Sequence, residues 1–275
     1  MSFHLAGIVP LAGHLLDYKM PWHDSMMPIG PDYLAVERSI VECANAGCET
    51  IWIVCDDDVQ PLIRHRLGEY VQDPVWVTRH YSPKKGEHKK PIPLYYVPIN
   101  IRDRKKKDSL SWSILHGAYI ANKISSKMSF WLKPNKFYVS FPYGYYGPTL
   151  TRQHRDLISN NKNFFISHNG KTVVDGEYLG FTFDYENYKE LLDNFRKIYA
   201  MQTHKSNVRF SLEEVFGVLE LKNSNIVDFM NYWRLDSWQN YCKYMTEQGQ
   251  RTKRPSEHIL KYHEWNDIGV DETNY

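Results

Sequence analysis

The chain has little cysteine: four residues in 275, at Cys43, Cys48, Cys55 and Cys242. That is too few for a disulfide framework at this length, and the spacing matches no zinc pattern. Cys43, Cys48 and Cys55 fall on a predicted helix and strand, where free thiols act as small buried hydrophobes. A reducing, cytoplasmic setting is therefore expected. Long apolar runs are also missing. No stretch approaches the ~18 apolar residues of a membrane span, and no basic segment followed by an apolar run opens the chain. Neither membrane insertion nor secretion is expected. There is no large charge of either sign, since the formal net charge is +2. Any grip on a polyanion must then be local. His4, His14, His23, His65 and His116 contain no pair at helical ligand spacing and are assigned no metal. No internal repeat and no low-complexity segment is present.

Aromatic residues are abundant, at 15% with 20 Tyr and 8 Trp, beside an ordinary 42% hydrophobic and 24% charged content. They can supply stacking platforms for sugars or bases, broad protein contacts, or simply a Tyr-rich core. The length suits one large α/β domain with an appended tail, read as 1–247 and 248–275. Leu5-Ala6-Gly7-Ile8-Val9 is a buried strand running into a turn at Pro10 to Gly13. Residues 14–31 have no periodicity and read as a long loop. Helical spacing of Leu34, Val36, Ile40, Val41 and Ala44 predicts a helix to Ala46, with Gly47 as its stop. Ile51 to Cys55 is a second buried strand, and Leu62, Ile63, Leu67 and Tyr70 mark another helix. That alternation implies parallel strands with right-handed crossovers. Further strands are predicted at 93–97, 137–141 and 178–183, and helices at 114–124 and 185–199. Asn169-Gly170 predicts a hairpin turn before Thr172-Val173-Val174. Residues 211–221 and 225–247 read as helical.

Several of these segments carry a family likeness. Ala6-Gly7-Ile8-Val9-Pro10-Leu11-Ala12-Gly13 resembles the first strand and glycine turn of the sugar nucleotidyltransferases, the nucleotide-sugar pyrophosphorylases. Met26-Met27-Pro28-Ile29-Gly30 resembles that family's Leu-Leu-Pro-Ile stretch. Ala46 to Val54 is similar to its Ala-Gly-Ile segment leading to the second strand. Gly176 to Phe183 is similar to the strand carrying sugar-side contacts, and Ser211-Leu212-Glu213-Glu214-Val215 to a family helix start. The family's Trp-x-Asp-Ile-Gly-Thr motif has two counterparts: Trp233-Arg234-Leu235-Asp236 with Tyr241, and Trp265-Asn266-Asp267-Ile268-Gly269 with Tyr275. The likeness spans about residues 3–245 and is strongest at the start. It implies a Rossmann-like, GT-A-like α/β fold with a mixed central sheet. The chain also resembles proteins of large tailed bacteriophages, which implies a particle component as another setting, though no motif carries that origin.

The resemblance also implies a chemistry, nucleotidyl transfer from a nucleoside triphosphate to a sugar phosphate. Such transfer needs amides, an Arg, a Lys and a two-carboxylate magnesium site around the phosphates. Leu11, Ala12 and Gly13 would hold the nucleotide, with Lys19 as a substitute cation; Tyr143 and Gly180 would lie on the sugar side; Asp236 or Asp267 would bind the metal. Three departures stand against standard catalysis. Asp17 lies about where the family's Arg belongs. His23-Asp24-Ser25 replaces Pro-Lys-Pro. The strand ending Val139-Ser140-Phe141 lacks the first metal Asp. No catalytic residue is therefore assigned, and magnesium is expected only if the chain is catalytic.

Two readings follow: a catalytically altered protein that binds nucleotide or nucleotide sugar, and a non-catalytic scaffold acting through protein partners or self-association. A glycosyltransferase of this fold would want Asp-x-Asp after the central strand. Asp56-Asp57-Asp58 has that spelling after a different strand, where capping of the next helix is its commoner meaning. The basic residues of 84–107, with Tyr81, Tyr95 and Tyr96, are a solvated loop or a nucleic-acid grip. Tyr143, Tyr145 and Tyr146 fit a sugar pocket or an exposed contact patch equally.

Overall fold

The computed structural model describes residues 3–13, 18, 20–79, 91–99, 103, 109–128, 133–202, 210–257 and 259–260. The strands are β1 (Leu5–Pro10), β2 (Pro28–Gly30), β3 (Tyr33–Leu34), β4 (Thr50–Cys55), β5 (Tyr70–Gln72), β6 (Pro91–Pro98), β7 (Lys136–Val139), β8 (Gly144–Tyr145), β9 (Phe164–Ser167), β10 (Phe181–Asp184), β11 (Asn225–Asp228) and β12 (Trp233–Arg234). The helices are α1 (Ala35–Ala46), α2 (Gln60–Leu67), α3 (Pro74–Arg79), α4 (Leu110–Met128), α5 (Arg155–Ile158), α6 (Tyr185–Gln202), α7 (Leu212–Phe216) and α8 (Trp238–Glu247).

Eight strands form one sheet in the order β11-β9-β10-β7-β1-β4-β6-β5. Strands β7, β1, β4 and β6 run parallel, while β10 is antiparallel to β7 and β9, and β5 to β6. The sheet is therefore mixed, as expected. The apolar run Leu5–Pro10 is buried at every position, as a strand covered on both faces requires. Ile8 lies opposite Trp52 on one side and Val139 on the other. Helix α4 packs directly on this centre: a Cβ on Gly117 would stand 2.7 Å from Val54 Cγ2. From β1 the chain first adds β4 and β6, then returns through α4 to place β7 on the opposite side of β1. The order thus reverses between β1 and β7, and their carboxyl ends flank a switch point where folds of this kind bind ligands.

Local chemistry explains where the pattern reading fails. The Asn169-Gly170 turn forms, with both residues at positive φ (51° and 75°) and a bridge between His168 and Lys171. No strand follows, because Thr172 and Asp175 cap a 3-10 turn instead: Thr172 N–H donates to Asp175 Oδ2 at 2.9 Å and Val174 N–H to Thr172 Oγ1 at 3.2 Å. Residues 225–247 are not one helix. Asn225 to Asp228 pair in parallel with Phe164 to Ser167, Trp233-Arg234 pair with β8, and α8 starts only where Ser237 Oγ accepts the Asn240 N–H at 3.3 Å. Helix α7 is shorter than 211–221, stopping before Gly217. The loop read over 14–31 contains a 3-10 turn at 24–26 and β2. Beyond Gln248, residues 249–257 and 259–260 lie against the domain. Thr252 Oγ1 meets Tyr145 Oη at 3.0 Å and Tyr244 Oη at 2.9 Å, Arg254 reaches Glu37 at 3.4 Å, and Leu260 is buried.

Candidate functional site

The turn after β1 sits at the switch point, but its groups are engaged within the protein. The N–H groups of Leu11 and Ala12 both donate to the Val54 carbonyl, at 2.8 and 3.1 Å. The Ala12 carbonyl accepts Ser113 Oγ at 2.6 Å, which bolts the start of α4 to the turn. Gly13 adopts φ 80°, and a Cβ there would stand 2.6 Å from the Ser109 backbone, so only glycine fits. Tyr143 is fully buried and its hydroxyl donates to the Leu11 carbonyl at 3.4 Å. Tyr145 and Tyr146 are buried as well, so the exposed-patch alternative for these three tyrosines does not hold. Lys19, Asp267 and Asp17 lie outside the described residues, as do Tyr81, residues 84–90 and the Arg and Lys residues of 102–107.

The second cluster lies beyond the carboxyl end of β7, where β12 joins β8. Arg234 bridges two carboxylates: its Nε bonds Asp236 Oδ2, and its Nη1 reaches Glu177 Oε2 at 3.3 Å. Its guanidinium also lies 5.0 Å from the Tyr178 ring centre. Burial opposes the charge on Arg234. The hydrogen bond and field of Asp236, aided by Glu177, outweigh it and hold the guanidinium pKa above its ordinary value. Tyr232 Oη accepts the Tyr178 N–H at 3.1 Å and donates to Glu177 Oε2 at 3.2 Å. Burial first and Glu177 second push its pKa up. Burial likewise lifts Tyr178 to about 12, against the pull of Arg234. Tyr18 is anchored to this cluster, its hydroxyl donating to the carbonyls of Leu235 (2.7 Å) and Ser237 (3.2 Å).

Magnesium does not fit this donor set. Asp236 Oδ2 is taken by Arg234 and Oδ1 by Asn240 Nδ2 at 3.2 Å. Among the described residues no three His, Cys, Asp or Glu side chains converge on a possible metal position. Here the Arg234 guanidinium, and not a divalent cation, bridges the Glu177 and Asp236 carboxylates. No step through a metal is derived.

Gly180 lies elsewhere than on an open sugar face. A Cβ there would stand 2.5 Å from Tyr138 Oη, and 2.8 Å from both Glu42 Oε1 and Tyr146 Oη. These oxygens belong to a buried network that the sequence reading missed. Glu42 accepts Tyr138 Oη at 2.6 Å and Ser140 Oγ at 2.7 Å, and also Tyr146 Oη and Arg38 Nη2. Burial, then Glu42, raise the pKa of both tyrosines well above the ordinary value. Arg38 lies 4.6 Å from the Tyr146 ring centre and donates to the Phe141 carbonyl at 3.2 Å. The available signal was a charged pair at i, i+4 among the apolar positions of the 33–46 helix. Asp56 to Asp58 open α2 through the backbone, the Asp56 carbonyl accepting Val59 N–H at 3.1 Å and Gln60 N–H at 2.9 Å.

Solved structures share this architecture. A Bacillus anthracis protein assigned as a glucose-1-phosphate thymidylyltransferase without established activity, in complex with a sucrose, aligns over 92% of this chain and 98% of its own at TM-score 0.61 and 5% identity. The UTP-bound UGPase from Acinetobacter baumannii aligns over 92% and 95% at TM-score 0.55 and 12% identity. A UDP-glucose pyrophosphorylase complexed with UDP-glucose aligns over 89% and 98% at 0.52 and 14%. No protein-family model and no curated protein matches the sequence. At these identities the likeness establishes the fold: an α/β nucleotidyltransferase-like domain with a mixed central sheet.

Proposed function

We propose that this chain binds a nucleotide sugar at the carboxyl-edge crevice between the β1 turn and the Glu177–Arg234–Asp236 cluster, without performing standard nucleotidyl transfer. The frame and the position of the turn support binding, as does the cluster's supply of hydroxyl acceptors beside aromatic rings. One observation carries the second half. Arg234 bridges Glu177 and Asp236, leaving one uncompensated negative charge and no carboxylate oxygen pair for magnesium beside a triphosphate. Asp24 adds to the negative field near the cluster: behind burial, Asp236 and then Asp24 raise the pKa of Tyr18. In-line attack at an α-phosphorus needs that charge neutralised.

Two measurements test the reading. UDP-glucose at about 100 times its dissociation constant should stabilise the protein by about 2.7 kcal/mol. UTP, glucose 1-phosphate and magnesium together should release no pyrophosphate above background. Turnover, or the lack of any shift with UDP-glucose, refutes the proposal. The contact-scaffold reading is the rival, with the exposed Met201 and Met230 among the apolar side chains a partner could cover. It predicts self-association or partner capture with no ligand shift. Among the described residues no helix is long and apolar enough to cross a membrane, and nucleic acid remains an expectation of the basic segment alone.

A further inference from the structure

Trp238 is the first residue of α8 and leaves 48% of its surface exposed, yet its ring is held on two sides. Tyr18 packs against it edge-on, centroids 5.8 Å apart at 72°, and Tyr241 lies 5.6 Å away at 36°. The two tyrosines touch each other at 5.7 Å. Each is fixed by its hydroxyl, Tyr18 to the Leu235 and Ser237 carbonyls and Tyr241 to the Pro28 carbonyl at 2.8 Å. The indole is thus presented in one orientation before any ligand arrives, so little side-chain freedom is lost on contact.

The groups beside it define what that contact is. Asp236 stands two residues away, with Oδ1 against Asn240 Nδ2, one turn along the helix from Asp236. An acceptor and an amide paired in this way match the donor and acceptor faces of neighbouring hydroxyls. The local charge is two carboxylates against one guanidinium, which disfavours a phosphate and tolerates a neutral polyol. An indole face adjoining hydroxyl-binding groups suits a ring that is apolar on one side and hydroxylated at its rim. We infer that Trp238 is the stacking platform for an uncharged pyranose ring, whose hydroxyls bind Asn240 Oδ1 and the second lone pair of Asp236 Oδ1, the one that Asn240 Nδ2 leaves open. The inference rests on the nucleotide-sugar reading and assigns the sugar end of that ligand.

Calorimetric titration of the full chain with UDP-glucose and with UDP tests it. Trp238→Ala should weaken UDP-glucose about tenfold and leave UDP unchanged, while Trp238→Phe keeps most of the affinity. Each variant is first shown to melt like the wild type; if Trp238→Ala melts early, Trp238→Leu takes its place, being apolar but not flat. Unchanged UDP-glucose affinity in the variant overturns the platform while the nucleotide-sugar reading stands. An equal loss for UDP and UDP-glucose overturns it too, since the indole then serves the nucleotide end. If the wild type binds neither compound, the underlying reading falls and the platform with it.

Discussion

Removing the Glu42 carboxylate should be among the most damaging single changes this fold can suffer. Glu42 is completely buried, and four donors from three parts of the chain converge on it: Arg38 on α1, Tyr138 and Ser140 on or just after β7, and Tyr146 after β8. In Glu42→Ala the Arg38 guanidinium stays buried with its counter-charge gone. Breaking one side of a buried pair in this way costs about 3–5 kcal/mol. The orphaned hydroxyls add desolvation penalties of about 1–3 kcal/mol each in isolation, which overlap and do not simply add. Set against a typical total stability of about 5–15 kcal/mol, the variant is left marginal. For a domain above ~150 residues each kcal/mol moves Tm by about 2–4 °C, so a fall of at least about 6 °C is expected. Urea denaturation followed by tryptophan fluorescence measures the loss directly. The decisive comparison is Arg38→Met with Glu42→Leu: removing both charges should cost less than Glu42→Ala alone, because no charge is then stranded. If Glu42→Ala loses less than about 1 kcal/mol, or the double variant is the worse of the two, the network is not held together as described.

Two further outcomes follow from the same geometry. Gly180→Ala drives a methyl into three network oxygens and should cost about 1–3 kcal/mol; an unchanged urea midpoint would show that the oxygens yield freely. Lys136 is buried with its ammonium donating to the Asn160 carbonyl at 2.8 Å and to the Lys162 carbonyl, and burial, opposed by Asp184, lowers its pKa from 10.5 to about 8. Between those values the unfolded chain binds the extra proton, so stability should rise with pH from about 8 to about 10.5 relative to Lys136→Met, and a flat difference across that window contradicts the assignment.

Much of the frame was legible in the residues themselves. Short apolar runs such as Leu5 to Val9 and Ile51 to Cys55, bounded by turn residues, suit strands covered on both faces, and helical spacing between them implies crossovers. The charges near the glycine turn, Asp17 and Asp24 among them, were legible too, because charge type needs no coordinates. The short edge pieces were not. Asn225 to Asp228 carry a polar-apolar-apolar-polar string that suits a helix turn as well as a strand, and only the free edge of β9 decides for pairing.

The site divides along the same line. Sequence alone determined which charges and aromatics this protein owns near its glycine turn, and that the strand ending at Phe141 is followed by no carboxylate before Asp156. Only the tertiary structure decided that Tyr143 is core, that Gly180 closes on Glu42, and that Arg234 stands between Glu177 and Asp236. Glu177 lies 57 residues from Arg234 along the chain. Periodicity reports which face of an element is apolar, but the identity of a charge's partner depends on how separate elements cross, and no local pattern encodes that.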